Sequence, residues 1–135
     1  MKFLLDTDTC IYALKQQRGV LERLLTHSPA DIAVSVITEA ELRTGAAKSD
    51  AAAAKIGRLV ENFLRPLTIL DFVSADAATY AQIRARLERA GRPIGPLDTL
   101  IAAQAVARKL TLVSNNRKEF GRVPRLAIEN WADRA

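Results

Sequence analysis

Three carboxylates stand where a chain concerned only with stability would place something else. In FLLDTDTCIY, residues 3–12, three apolar residues run straight into Asp6, and Asp8 follows two positions on. In VITEAELRTGAA, Glu41 falls four residues after Ile37, on the inward stripe that a helical period assigns to Ile37, Ala40 and Thr44. Glu39 and Arg43 point elsewhere. In GPLDTLIAAQAVA, Asp98 precedes Ile101, Ala102 and Ala105 by three, four and seven residues, so it opens the buried face of a helix. An unpaired charge on an apolar face costs several kcal/mol. Carboxylates brought together repel, and their pKa values rise unless a cation sits among them. Hard oxygen ligands of this kind suit Mg²⁺ or Mn²⁺. Each acid has an ordinary structural role open to it. Asp8 fits the N-cap of the helix it begins. Asp98 in a first turn would favour the helix dipole by roughly 0.3–1 kcal/mol. Glu41 could pair with a buried arginine. Three such acids in one chain favour a shared cation.

The segments that must position these acids alternate in type. Short β-like runs are expected at 2–5, 32–35, 67–70, 110–114 and 125–128. Helical periodicity covers 8–16, with Cys10, Ile11 and Leu14 on one stripe, and 20–27, with Val20, Leu21, Leu24 and Leu25 facing in. Further helices are predicted over 36–47, closing near Gly45, over 50–64 up to Pro66, and over 74–90 with a Ser74 cap and a Gly91 stop. A last helix runs from Pro96 to Lys109. Strands alternating with helices imply a three-layer α/β/α fold around a mainly parallel sheet of about four to five strands. Sites in such sheets lie beyond the carboxyl ends of the strands. Asp6 follows the first strand, Ser114 to Asn116 follow a late one, and the helix bearing Glu41 starts right after the second.

The 135 residues fit a single domain spanning 1–135. The mix of 49% hydrophobic and 26% charged residues is globular rather than disordered. No apolar run approaches the ~20 residues of a membrane span. The first apolar run stops at Leu5, so no signal peptide is expected. One cysteine excludes an internal disulfide and zinc–thiolate clusters, which points to a reducing, cytoplasmic setting. Cys10 reads as a small apolar filler. His27, the one histidine, reads as a helix-end cap, which leaves no Ser–His–Asp or Cys–His arrangement. Trp131 reads as core. The net charge of +5 accords with a polyanionic partner.

The ordered set of motifs resembles the PIN-domain ribonucleases, and within them the VapC-type toxins of bacterial toxin–antitoxin pairs. The likeness runs from FLLDTDTCIYAL through TEAELRTGA, IGPLDTLIAAQAVA and LTLVSNNRKEF to RVPRLAIENW, nearly the whole chain. It implies a PIN fold and Mg²⁺- or Mn²⁺-dependent endoribonuclease activity, with 5′-phosphate and 3′-hydroxyl products. Asp6 and Asp98 would hold the metal, and Glu41 would complete the acidic centre. Asn116 stands where many relatives carry a fourth acid, a departure that weakens a second metal site. Glu119, three residues on, could partly replace that acid, and Ser114 would hydrogen-bond within the cluster or to substrate. The resemblance also implies a homodimer, with higher toxin–antitoxin assembly open to it. It implies too a cognate antitoxin whose own domain binds operator DNA. The helices over 8–16, 18–27 and 50–64 are expected to form the antitoxin groove.

Basic residues cluster at Arg84, Arg86, Arg89 and Arg92, and again from Arg108 to Arg125. Most read as a solvated face. Arg117 and Lys118, beside Asn116, are candidates to track an RNA backbone. Aromatics are too sparse for a base-stacking platform, which argues against a plain RNA-binding module. Two rival readings remain. A haloacid-dehalogenase-type phosphatase would use Asp6 as nucleophile, but the match after Asp8 is off by one residue. A catalytically inactive partner-binding scaffold would have no reason to keep Asp6, Glu41 and Asp98.

Overall fold

The computed structural model, which describes residues 1–133, contains a five-stranded, wholly parallel sheet. Its strands are β1 (Phe3–Leu5), β2 (Ile32–Ser35), β3 (Thr68–Leu70), β4 (Thr111–Val113) and β5 (Ile128–Glu129), in the order β3-β2-β1-β4-β5. Positions 134 and 135 of the expected domain lie outside the described residues. The chain steps outward from β1 through β2 to β3, then returns to β1's other edge for β4. That reversal places the topological switch point between β1 and β4, where parallel sheets open a crevice at their carboxyl ends.

Seven helices flank the sheet among the described residues: α1 (Thr7–Leu14), α2 (Val20–Leu25), α3 (Val36–Ala47), α4 (Ala53–Leu64), α5 (Ser74–Arg89), α6 (Pro96–Ala107) and α7 (Arg117–Phe120). Alternate side chains of a strand serve opposite faces. Phe3, Leu5, Ile32, Val34 and Val113 therefore pack with α1, α2, α4 and Trp131 in one core layer. Leu4, Ala33 and Leu112 pack with α5, α6, Phe120 and Val123 in the other. This is the expected three-layer arrangement. No helix among the described residues is long and apolar enough to cross a membrane.

Several local expectations give way. Leu25 is 71% exposed rather than inward, because α2 is too short for a second buried turn beyond Val20 and Leu24. His27 caps nothing. Its ring stacks on Trp131 at 4.7 Å and meets Phe3 edge-on at 4.8 Å. The stripe that α3 buries is Thr38, Leu42 and Ala46, not Ile37, Ala40 and Thr44. Residues 50–52 form a 3₁₀ turn, and α4 starts only at Ala53.

The expected Ser74 cap is replaced by Asp76, whose carboxylate accepts from the Val73 N–H at 3.0 Å. Asp76 is 1% exposed and binds the Arg108 guanidinium at 2.9 Å, so it ties the start of α5 to the end of α6. Burial pushes its pKa up, but hydrogen bonds from Arg108, Val73 and Gln104 outweigh burial and leave it below the ordinary value. Arg108→Met strands this buried charge and is expected to cost about 2 kcal/mol in urea unfolding. A carboxyl with a lowered folded pKa stabilises above its unfolded pKa of about 4 and ceases to do so as pH falls through the folded value. The difference between wild type and variant must therefore shrink below about pH 4. A difference that persists undiminished in acid would show that the pair is not its source.

Candidate active site

The register sets the floor of the crevice. Leu5 pairs with Val34 on one side and Val113 on the other, so Asp6, Ser35 and Ser114 lie level as the next residues of three adjacent strands. All three are buried. The Asp6 N–H donates to the Val113 carbonyl at 3.1 Å, which continues the ladder one step past β1. The Thr9 N–H then donates to Asp6 Oδ1 at 2.8 Å. Asp6, not Asp8, is thus the N-cap of α1, and Asp8 stands exposed in its first turn. The strand ends on an acid partly because the helix needs one. The Ser114 hydroxyl lies beside the Asp6 carboxylate and favours its charged form. Burial raises the Asp6 pKa, and Ser114 and Thr9 offset only part of that rise.

Asp98 reaches the same crevice from the first turn of α6, after Gly95 and Pro96. It is half-buried, and its carboxyl is pushed up to about 6, by burial first and then by the charges of Asp6, Glu41, Glu119 and Asp8. One electrostatic neighbourhood therefore joins acids from α1, α3, α6 and α7. Glu41 lies just beside the buried stripe of α3 and is half-buried. The Thr7 hydroxyl donates to Glu41 Oε1 at 2.6 Å and lies 3.1 Å from the Thr38 hydroxyl. Thr7 and Thr38 escape a reading focused on acids. Their signals are a hydroxyl beside the strand-end acid and a threonine one helical step before Glu41.

Asn116 caps α7, a short helix not foreseen from the sequence. Its Oδ1 accepts from the Glu119 N–H at 3.3 Å, and its own N–H donates to Ser114 Oγ at 2.9 Å. The Asn116-x-x-Glu119 spacing is the usual mark of such a helix start. Arg117 and Lys118 are exposed on its first turn.

Among the described residues, none of these acids has an ion-pair partner. The four ion pairs among the described residues lie elsewhere, at Asp31, Glu39, Glu88 and Asp76. No three Asp, Glu, His or Cys side chains among the described residues converge closely enough to hold a metal ion by themselves. Mg²⁺ is commonly held by one or two carboxylates, with water and substrate phosphate filling the octahedron. The oxygen of Asp6 not used by Thr9, and the raised, unpaired Asp98, fit such an ion.

Residues 3–126 match the PIN domain family. The chain is 40% identical to the tRNA(fMet)-specific endonuclease VapC of Salmonella typhimurium, covering 97% of this chain and 98% of that one. It is 41% identical to the Ribonuclease VapC of Haemophilus influenzae, with the same coverage. The crystal structure of DNA-bound VapBC from Salmonella typhimurium superposes with a TM-score of 0.92 at 41% identity, over 98% of this chain and 99% of that one. The likeness thus holds in sequence and in shape over nearly the whole length of both chains, and the chain belongs to the PIN-domain family and, within it, to the VapC ribonucleases.

Proposed function

We propose that the whole chain, 1–135, acts as one PIN domain, a Mg²⁺- or Mn²⁺-dependent endoribonuclease that serves as the toxin of a toxin–antitoxin pair. The observation that carries the reading is an acidic crevice, centred on Asp6 and Asp98, whose acids have no ion-pair partner among the described residues. Asp6 and Asp98 would hold the ion, which when bound polarises water and the phosphodiester oxygens. Asp6 is fixed by the Thr9 N–H, so its free oxygen is aimed without loss of side-chain freedom. Glu41, fixed by Thr7, orients the attacking water and accepts its proton. Asn116 and Glu119 border the phosphate, and Arg117 and Lys118 meet the flanking backbone. The test is cleavage of total cellular RNA by purified, antitoxin-free protein. Cuts that need Mg²⁺ or Mn²⁺ and stop with a chelator support the reading. Cuts that survive chelation would reject it.

Thr7 acts here as a positioning residue. Thr7→Val is expected to lower kcat about tenfold with KM unchanged, the worth of one hydrogen bond to a charged group. Thr7→Ser should restore kcat. A matched fall in both variants would leave the hydroxyl without a role.

An apolar cavity of about 430 Å³ opens beside Glu41. Ile11 and Leu14 of α1, Leu42 of α3, and Ile56, Leu59 and Val60 of α4 line it. Its walls are α1, α3 and α4, so α3 takes the place expected for the residues of α2. An antitoxin segment laid in this groove would bring a basic side chain to the acids and occupy the position of the metal. The Salmonella complex is a DNA-bound VapBC. By extension, this chain would meet operator DNA only through its antitoxin, as a cytoplasmic homodimer or a larger toxin–antitoxin assembly.

A further inference from the structure

Two basic clusters far apart in sequence share one concavity on the face away from that groove. Thr79, Gln82, Arg86 and Arg89 follow one another along one side of α5. Arg86 and Arg89 line a cavity of about 490 Å³ whose other side is Val106 of α6 with Pro124 and Arg125. A second depression of about 350 Å³ shares Val106 and Arg125 and adds Lys109. The two depressions meet at Val106 and Arg125 and are treated as one trough. No acidic residue lines either part. None of the four cations belongs to an ion pair among the described residues, whereas Arg43, Arg84 and Arg108 all do.

We propose that this trough is an exosite for the phosphate backbone of the RNA that the acidic crevice cleaves; the inference rests on the ribonuclease reading. Unpaired cations in a concave, acid-free lining match a polyanion, and their contacts would be indifferent to base sequence. Thr111, the first residue of β4, and Ala127, just before β5, line the trough's end at the amino edge of the sheet. Asp6 and Ser114 follow the carboxyl edge. An RNA reaching from the acids to that end of the trough spans at least one strand length, roughly 10 Å for three residues at about 3.3 Å each. The trough therefore serves extended or folded RNA and does nothing for a short oligonucleotide seated at the acids.

The test is fluorescence anisotropy with chelator present, so that binding is read without cleavage. The probes are unfractionated transfer RNA and a short single-stranded oligonucleotide. Arg86→Ala/Arg125→Ala is expected to weaken transfer RNA binding at least about tenfold and to lower the slope of log affinity against log salt by about two. Oligonucleotide binding and kcat on the oligonucleotide should stay unchanged. Both arginines are exposed, and an unchanged melting curve confirms that the variant folds. Transfer RNA binding with wild-type affinity and salt slope would overturn the exosite. So would a loss confined to duplex DNA with RNA binding intact. Failure of the ribonuclease reading shows separately, as wild-type protein that does not cut with Mg²⁺ or Mn²⁺.

Discussion

Asp6→Asn lowers RNA cleavage on the order of 10²- to 10³-fold in kcat, equivalent to about 3–4 kcal/mol of transition-state stabilisation. The substitution is nearly isosteric and separates the two duties of this side chain. An amide oxygen can still accept from the Thr9 N–H, now at 2.8 Å, so the cap of α1 survives. What disappears is the negative charge. Asp6 is 3% exposed, and burial already holds its pKa above the ordinary value. Neutralising it should leave the melting temperature unchanged or higher, since the folded chain no longer shelters an unbalanced anion. Loss of cleavage with retained stability is thus the signature of a residue kept for chemistry. Asp98→Asn should behave alike, because Asp98 shares the same field. Isothermal titration with Mg²⁺ or Mn²⁺ gives an independent readout, in which either substitution should weaken binding. Cleavage at the wild-type rate by Asp6→Asn would remove Asp6 from the site.

What could be read from the chain in advance divides along physical lines. The alternation of short apolar runs with helical periods was enough for the parallel, three-layer sheet, because such strands are buried on both faces and carry a plain apolar signal. The ordered motifs singled out Asp6, Glu41 and Asp98, and the fold brings them into one electrostatic neighbourhood. Less legible was what depends on two or more segments at once. Asp6 takes the cap expected of Asp8 because the ladder continues one residue past Leu5, which only the pairing with β4 decides. The inward stripe of α3 is Thr38, Leu42 and Ala46 because both core layers press on that helix, a constraint absent from its own period. Thr7 and Thr38 are ordinary threonines until α1 and α3 bring them together beside Glu41. The trough joins α5 to residues near β4 and β5, and no local pattern announces such a meeting.

Trp131 makes the largest expected contribution to stability of any single side chain discussed. It lies just beyond β5, outside the regular elements. Yet its ring is 1% exposed, stacks on His27 at 4.7 Å and meets Phe3 edge-on at 5.1 Å. Its indole N–H donates to Glu129 Oε1 at 3.0 Å. The segment is clamped once more past the ring, by Asp133 N–H to the Arg18 carbonyl and Arg18 Nε–H to the Asp133 carbonyl, both 2.7 Å. Trp131→Ala is therefore expected to cost about 3–5 kcal/mol, a large part of the ~5–15 kcal/mol that folds a domain. Trp131→Phe keeps a ring against Phe3 and His27 and should cost about 1–2 kcal/mol. Urea unfolding at one fixed protein concentration measures both, since oligomerisation would otherwise enter the comparison. The slope against urea should stay constant if the whole core is linked to this ring. A cost below about 1 kcal/mol for Trp131→Ala would mean that the C-terminal segment unfolds by itself, leaving the layer of α1, α2 and α4 intact. Under the expected outcome, cleavage per folded molecule is unchanged, because Trp131 packs beneath Phe3 at the amino end of β1 while Asp6 sits at its carboxyl end.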